Sequence, residues 1–240
     1  MLSRAPQSRV LDLTHETSVH FPAEAGFWLK RAYRYFPDGT THIAVVDPGV
    51  GTERDIIVAV VQGHAFLAPD NGLLAPLVNS GEFSIHRLDM TRLARFGIDL
   101  ERVSATFHGR DILAPIGAEL STGRIQPEDL GPQVFQIVPS WVDEPQILKG
   151  QVRGVVIAVD HFGNLISNID HALIADFKHP TVRAGGHVFP LRRTYGDVRP
   201  GEYLALINSF GVVELARAEQ SAADGLGLER GSPVVVLAEE

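Results

Sequence analysis

The pattern of apolar residues changes near Pro139, and this change predicts two domains of different class. Up to about residue 130, short apolar runs alternate with stretches of helical spacing, which is typical of an α/β domain with a largely parallel sheet. Beyond residue 150, short β-type runs follow one another closely, as in a small all-β barrel. We therefore predict an α/β domain over 1–139, a linker over 140–150 and a smaller, barrel-like β domain over 151–240.

Hydrophobic periodicity also places the individual elements. The predicted strands of the first domain are Val10–Leu13, Ile43–Val46, Ile56–Val61, Ala65–Leu67 and Ser84–Leu88, and its predicted helices are Pro22–Tyr35, Thr91–Phe96 and a segment carrying Ile112, Leu113, Ile116 and Leu120. The predicted strands of the second domain are Val152–Val159, Leu165–Ile169, Thr181–Arg183, His187–Leu191, Tyr203–Ile207, Val212–Ala216 and Val234–Leu237.

A tight loop directly follows the apolar run Ile43–Val46. It begins at Asp47 and reaches Arg54 through one proline and two glycines, residues that favour abrupt changes of chain direction. In open α/β sheets, ligands bind outside the carboxyl ends of the strands, so an acid and a base at the two sides of this loop indicate a functional site. The alternative is an ordinary Pro-Gly turn with a solvated Asp–Arg pair.

Further polar residues follow predicted strands or precede a predicted helix. An aspartate, an arginine and a histidine can together orient a water molecule, and histidine titrates near neutral pH. For a single histidine at a helix start, capping or core hydrogen bonding is the competing interpretation. Metal binding by Asp47, Asp70, His108 and Asp111 is another, although their spacing singles out no metal. The polar residues concerned are Asp47, Arg54, Asp70, Asn71, His108, Asp111, Asp160 and Asn164.

Composition excludes several classes of protein. The formal net charge of −8 argues against a nucleic-acid partner, and the lack of cysteine excludes disulfides, thiolate metal sites and a cysteine nucleophile. Nucleophile-elbow serine, zinc-helix and P-loop motifs are missing from the sequence. No apolar run is long enough to cross a bilayer and no signal-peptide pattern is present, so we expect a cytoplasmic protein without a membrane partner.

Five motifs, in order, resemble the S-adenosylmethionine hydroxide adenosyltransferase family. They are VVDPGVGTER (45–54), APDNGLL (68–74), TFHGRD (106–111), VDHFGNLISNI (159–169) and INSFG (207–211). Members of this family are also called S-adenosylmethionine hydrolases and are related to fluorinating and chlorinating enzymes. The resemblance implies an α/β domain, a β-barrel domain and a homotrimer, with each active site between the N-terminal domain of one subunit and the C-terminal domain of its neighbour.

The implied reaction is attack of water or hydroxide on the ribose C5′ of S-adenosylmethionine, which releases adenosine and L-methionine without a metal or other cofactor. Asp47, Arg54 and His108 match the family's water-activating set. Asp160 and Ser209 resemble contacts to the methionine amino and carboxylate groups, and Asn164 resembles the residue that hydrogen-bonds adenine. Phe107, Phe162 and Tyr195 match apolar or aromatic positions around the adenine and ribose, with core packing as the alternative for each.

Two departures from related sequences bear on this interpretation. The halogenating relatives carry Tyr at the positions of Asp47 and His108, and the fluorinating members carry Ser at Gly109 and an extra loop, so we expect water rather than halide as nucleophile. Family members usually begin with a strand and helix that carry a TDFG-type motif. Since this chain starts at Met1-Leu2-Ser3, we expect that segment to be missing and assign no ribose-binding acid.

The alternatives to S-adenosylmethionine hydrolysis are a non-catalytic adenosine- or S-adenosylmethionine-binding protein, a halide-using relative and a metal-dependent hydrolase.

Overall fold

A computed structural model of the chain describes residues 1–78, 82–142 and 144–238. The chain divides into two compact units, Met1–Val142 and Asp143–Glu240. Among the described residues, no helix combines the length and the apolar character that crossing a bilayer requires. The two units have different architectures, and each is built around its own apolar core.

The first unit contains a four-stranded sheet of mixed direction. Its strands are β1 (Thr41–Ile43), β2 (Ile56–Val61), β3 (His64–Pro69) and β4 (Phe83–Arg87), in the order β1-β3-β2-β4. β1 is parallel to β3, whereas β2 is antiparallel to both of its neighbours. The sheet is therefore not the largely parallel one that the sequence pattern predicted.

The reason for this difference is a two-residue turn between β2 and β3. Gln62 and Gly63 both have positive φ, 48° and 78°, as in the type I′ turns that join antiparallel strands. Two residues cannot form the crossover that parallel neighbours need. The dipeptide Gln62-Gly63 between two apolar runs was the local signal of a hairpin. The predicted alternation of strands and helices did not take this signal into account.

Both faces of this sheet are covered by helices. Ile57 and Ala59 of β2 pack in one apolar cluster with residues of α1 (Pro22–Ala32) and α2 (Ala75–Val78). Ile56 and Val58 face the other way and pack with residues of α3 (Ala114–Ser121) and α4 (Pro127–Leu130). The unit is thus a layered α/β structure, as predicted, with the strand direction corrected.

Most predicted elements of the first unit are present with shifted ends. The helix predicted over Pro22–Tyr35 is α1 followed by a 3₁₀ turn at Tyr33–Tyr35, and the one predicted at Thr91–Phe96 is a 3₁₀ helix over Met90–Phe96. The strand predicted at Val10–Leu13 is wrong. Val10 and Leu11 are 46% and 56% exposed, and none of the described strands pairs with this segment. An apolar run becomes a strand only when a neighbour accepts its backbone hydrogen bonds.

The second unit is a closed barrel of seven strands. The strands are β6 (Gln151–Val159), β7 (Leu165–Asp170), β8 (Thr181–Ala184), β9 (His187–Arg192), β10 (Tyr203–Ile207), β11 (Val212–Arg217) and β12 (Pro233–Leu237). The order is β12-β8-β9-β10-β11-β7-β6, and the barrel closes because β12 also pairs with β6. The predicted β-barrel domain is confirmed, and all seven predicted strands are present.

Two further elements complete this unit. A short strand, β5 (Gln146–Leu148), pairs with β6 and lies inside the segment that was predicted as a linker. A single-turn helix, α5 (Ala222–Leu226), precedes β12 and buries Ala222 in the barrel core.

Candidate active site

Asp47 and Arg54 form a nearly buried ion pair in the loop that follows β1. The Arg54 Nε donates to Asp47 Oδ1 and Oδ2, both at 3.0 Å, and its Nη2 forms an ion pair with Oδ2. The side chains are only 5% exposed for Asp47 and 11% for Arg54. Burying two charges is favourable only when their hydrogen bonds are satisfied. Asp47 and Arg54 therefore form a desolvated, hydrogen-bonded ion pair rather than the solvated pair of an ordinary turn.

The loop between them lies tightly against a second segment of the unit. Gly51 has φ +80°, and a Cβ at this position would lie 2.5 Å from the carbonyl oxygen of Ala105. Only glycine permits both this backbone conformation and this close approach. The hydroxyl of Thr52 donates to the carbonyl of Gly49 at 2.7 Å and further restrains the turn. The contact holds Arg54 near the residues that follow Ala105.

His108 completes the cluster, because its Nδ1 lies 3.0 Å from Arg54 Nη2. A guanidinium can only donate, so His108 Nδ1 accepts and the proton of the neutral ring is on Nε2. Burial and then the nearby charge of Arg54 lower the pKa of His108, whereas the charges of Asp47 and Asp111 act in the opposite direction. The imidazole is therefore neutral at pH 7 and carries a hydrogen-bond donor at Nε2.

The other candidate polar residues of this unit form hydrogen bonds to backbone groups. Asn71 Nδ2 donates to the carbonyl of Val46 at 2.8 Å, directly before Asp47. Asp70 Oδ1 accepts from the amide of Val138 at 2.9 Å, and burial raises the pKa of Asp70. Asp111 accepts from Arg110 and from the amide of Ser104, which together lower its pKa to about 2. His108 itself comes directly before a π-helical turn, Gly109–Leu113, that leads into α3.

Phe107 presents an exposed aromatic ring beside the cluster. Phe107 is 57% exposed, and the Arg110 guanidinium lies 4.9 Å from the centroid of its ring. Exposed apolar rings are costly in water, so an exposed ring on the residue that precedes His108 suits contact with a ligand.

In the second unit, Asp160 organises the loop between β6 and β7. Its Oδ1 accepts from the amides of Phe162 and Asn164 at 2.9 and 2.8 Å, and its Oδ2 accepts from Asn164 Nδ2 at 2.9 Å. Gly163 has φ +82° and abuts Ser221, so a larger residue would not fit there. Asn164 is buried, whereas Phe162 is 76% exposed. The loop thus fixes Asn164 and presents the Phe162 ring to solvent.

Tyr195 and the turn that carries Ser209 meet at a buried carboxylate. The Tyr195 hydroxyl donates to Glu214 Oε1 at 2.6 Å, and Asn208 Nδ2 donates to Glu214 Oε2 at 3.2 Å. Burial raises the pKa of both Tyr195 and Glu214, and the charge of Asp160 raises both further. Asp160 therefore lies close enough to act electrostatically on both Tyr195 and Glu214. Ser209 is exposed in the adjoining turn.

Comparison with known proteins identifies the family of the chain. A model of the SAM hydroxide adenosyltransferase N-terminal domain matches residues 1–131, and a model of the C-terminal domain of the same family matches residues 154–235. The chain belongs to the SAM hydroxide adenosyltransferase family.

Members and neighbours of the family align over nearly the whole chain. An (R)-S-adenosyl-L-methionine hydrolase of Thermus thermophilus is 37% identical, with 99% of this chain and 91% of the relative covered. Another (R)-S-adenosyl-L-methionine hydrolase, from Salinispora tropica, is 34% identical over 97% of this chain and 88% of the relative. The crystal structure of an uncharacterized conserved protein from Thermotoga maritima aligns with TM-score 0.86 and 31% identity, over 98% of this chain and 91% of that chain.

The structure divides the candidate residues of the sequence between the two units. Asp47, Arg54 and His108 lie together in the first unit, with Phe107 beside them. Asp160, Asn164 and Tyr195 lie in the second unit, as does the turn that carries Ser209. The proposed metal set is not assembled, because across the described ranges no three His, Asp or Glu side chains lie close enough to share a metal ion.

The sequence interpretation missed Glu214 and Asn208. Glu214 stands between Val213 and Leu215 in a strand whose other residues are almost all apolar, and it is only 3% exposed. A lone acid in the middle of an apolar strand was an available signal, since such a residue is buried only with hydrogen-bonding partners. Asn208 lies within the INSFG motif, in which the family resemblance gives a role only to Ser209.

Proposed function

We propose that the protein hydrolyses S-adenosyl-L-methionine to adenosine and L-methionine through attack of water or hydroxide on the ribose C5′. The observation that carries this proposal is the Asp47–Arg54–His108 cluster, in a chain that belongs to the SAM hydroxide adenosyltransferase family. Relatives at 37% and 34% identity are named (R)-S-adenosyl-L-methionine hydrolase, which supports the same substrate for this chain.

The reaction requires little from the protein beyond positioning of the nucleophile. The water oxygen forms a bond to C5′ as the C5′–sulfur bond breaks, and the electron pair of that bond neutralises the sulfonium to give the thioether of methionine. The leaving group needs no proton, so the site must orient the water in line and accept one proton from it. Positioning of this kind and general-base assistance of about 10²–10⁴ supply the rate increase.

The hydrogen bonds support a different proposed task for each of the three residues. His108 has its donor at Nε2, because Arg54 occupies Nδ1, so we assign His108 to orient the nucleophilic oxygen by donating to it. Of the roughly four acceptor positions of the Asp47 carboxylate, Arg54 occupies three, which leaves one on Oδ1 to receive the proton of the water. Arg54 keeps the carboxylate and the imidazole in place.

Substrate recognition is assigned to residues of both units. Asp160 retains about one free acceptor position on Oδ2 after the three hydrogen bonds within its loop, which suits the methionine ammonium group. Ser209, in the adjoining turn, suits the carboxylate, and Asn164 suits the adenine edge. Phe107, Phe162 and Tyr195 are each at least 45% exposed, and their rings are proposed to line the adenine and ribose.

We also propose a homotrimer in which the N-terminal unit of one subunit and the C-terminal unit of its neighbour form each active site. This proposal follows from the family resemblance. It is consistent with the separation of the water-handling residues and the substrate-holding residues into different units. We further propose that the reaction needs no metal or other cofactor. Size-exclusion chromatography with light scattering tests the assembly.

A product assay tests the proposed function. The purified protein is incubated with S-adenosylmethionine, and the products are separated by chromatography, with parallel samples that contain a chelator or added halide. We expect adenosine and methionine in all samples, and a loss of about 10²-fold or more in turnover for His108→Ala with binding retained. Binding without products would instead indicate a non-catalytic protein, inhibition by the chelator a metal-dependent one, and a 5′-halogenated nucleoside a halide-using one. Undiminished turnover of His108→Ala would remove this residue from the mechanism.

A further inference from the structure

Glu214 is a buried carboxylate to which the proposed chemistry gives no role. It lies in β11, where its neighbours Val213 and Leu215 point into the barrel core. Because side chains alternate along a strand, Glu214 points away from that core, yet it is only 3% exposed. Burial of a carboxylate costs free energy unless it accepts several hydrogen bonds, so its presence in this strand needs an explanation.

The two partners of Glu214 belong to the segments that carry the proposed substrate contacts. Tyr195 comes from a 3₁₀ turn, Tyr195–Asp197, that lies between β9 and β10. Asn208 comes from the turn between β10 and β11 that also carries Ser209. One carboxylate therefore joins two loops that are separate in sequence.

The orientation of the Asn208 amide is fixed from its other side. Its Oδ1 accepts from the amides of Phe210 and Val212 at 3.0 and 3.3 Å, so its Nδ2 is the atom that faces Glu214. The Tyr195 hydroxyl approaches the other carboxylate oxygen at 2.6 Å. Glu214 thus meets two donors, one on each oxygen, and an ionised carboxylate is the group that can accept from both.

We propose that Glu214 is a positioning residue, whose ionised carboxylate locks Tyr195 and the Ser209-bearing turn into one substrate-binding arrangement. This inference rests on the proposed function, because that function makes Tyr195 and Ser209 substrate contacts. Glu214 acts through these two segments and does not take part in the bond-breaking step.

The charge at Glu214 matters as well as its shape. A glutamine has almost the same size but offers one acceptor oxygen and one donor amide. Since the Asn208 atom that faces Glu214, Nδ2, can only donate, Glu214→Gln must turn its oxygen toward Asn208 and its amide toward Tyr195, which must then accept. The Tyr195 hydroxyl loses its fixed donor role, whereas the barrel core is left unchanged.

The first test is a kinetic cycle of Glu214→Gln, Tyr195→Phe and the double variant. Loss of a hydrogen bond to a charged group corresponds to about a tenfold change in binding, so we expect KM to rise about tenfold in each single variant with kcat within about twofold. If Glu214 acts through Tyr195, the double variant has about the same KM as the more impaired single variant.

A matched control is Ser167→Ala in the adjacent strand β7. Ser167 is buried and donates to the carbonyl of Val213, next to Glu214, but the proposed site does not use it. We expect this variant to lose thermal stability with an unchanged KM. Effects on KM that multiply in the double variant, or an equal rise of KM in Ser167→Ala, would overturn the positioning role.

A second measurement is independent of turnover. Hydrogen–deuterium exchange of segment 208–212 is expected to be faster in Glu214→Gln than in the wild type or in Ser167→Ala, because the neutral glutamine oxygen binds the Asn208 amide more weakly than the carboxylate does. Equal exchange in all three proteins would contradict the proposal. If the wild type forms no adenosine, the proposed function fails, and the exchange measurement alone decides whether Glu214 positions the turn.

Discussion

Replacement of Asp47 by Asn tests the core of the proposed mechanism. The variant keeps the shape of the side chain but removes the proton acceptor and the negative charge that faces Arg54. Arg54 would then be a nearly buried cation, with a side chain that is 11% exposed, beside a neutral amide and the neutral ring of His108. We therefore expect losses in both turnover and stability.

The two losses have different magnitudes and different origins. Breaking a buried ion pair by removal of one partner costs about 3–5 kcal/mol, and the small residual exposure of this pair places the cost near the lower end, at about 3 kcal/mol. For a unit of this size, that cost lowers Tm by roughly 6–12 °C. Loss of general-base assistance lowers kcat by about 10²–10⁴ at temperatures where the variant is still folded.

Adenosine release measured by chromatography, together with thermal unfolding, checks both numbers. The control is Asp89→Asn, which also removes an aspartate from an ion pair, since Asp89 Oδ2 lies 3.2 Å from Arg92 Nε. That pair is at the surface, so we expect a much smaller loss of stability than in Asp47→Asn and unchanged turnover. An Asp47→Asn protein that is folded and turns over within threefold of the wild type would refute the assignment of Asp47 as the proton acceptor.

Two further predictions concern the neighbours of Asp47. Burial and the charge of Arg54 lower the pKa of His108 from its ordinary value of 6.5, so the neutral, active form persists above pH 6.5. As the pH is lowered, we expect kcat/KM to fall with a midpoint below pH 6.5; a midpoint above pH 6.5 would contradict a neutral His108. Gly51→Ala places a Cβ 2.5 Å from the Ala105 carbonyl oxygen, so the Tm and kcat are both expected to decrease. At Gly39, φ is also +80° but no atom lies within 4 Å of the Cβ position, so Gly39→Ala should show only the backbone cost of about 1–2 kcal/mol and unchanged kcat; equal loss of kcat in both variants would refute the role of the contact at Gly51.

Local patterns were sufficient for much of the fold. The seven barrel strands could be predicted because each carries a run of β-branched and apolar residues between turn residues, and this signal needs no knowledge of partners. The helix α1 was likewise predicted from its 3.6-residue periodicity. The loop from Asp47 to Arg54 could be recognised as a candidate site because proline and glycine follow the apolar run Ile43–Val46. The prediction that this run is a buried strand was wrong, since β1 ends at Ile43 and Val45 is 47% exposed.

Other features depended on contacts between distant residues. The Val10–Leu13 run has strand-like composition, but pairing is decided by what lies beside it, and none of the described strands does. The role of Glu214 was hidden because its partners, Tyr195 and Asn208, are 19 and 6 residues away along the chain. A sequence pattern reports the preference of each residue, whereas a carboxylate is stabilised by donors that folding brings to it.

The amino-acid sequence by itself therefore determined the two kinds of domain, most of their elements and the residues that are proposed to activate water. The tertiary structure alone decided the direction of the strands in the first sheet, the proton position on His108 and the burial of Glu214. The physical reason is that periodicity and turn chemistry act between residues close in sequence. Strand pairing, desolvation and hydrogen bonds between loops depend on groups that meet only after the chain has folded.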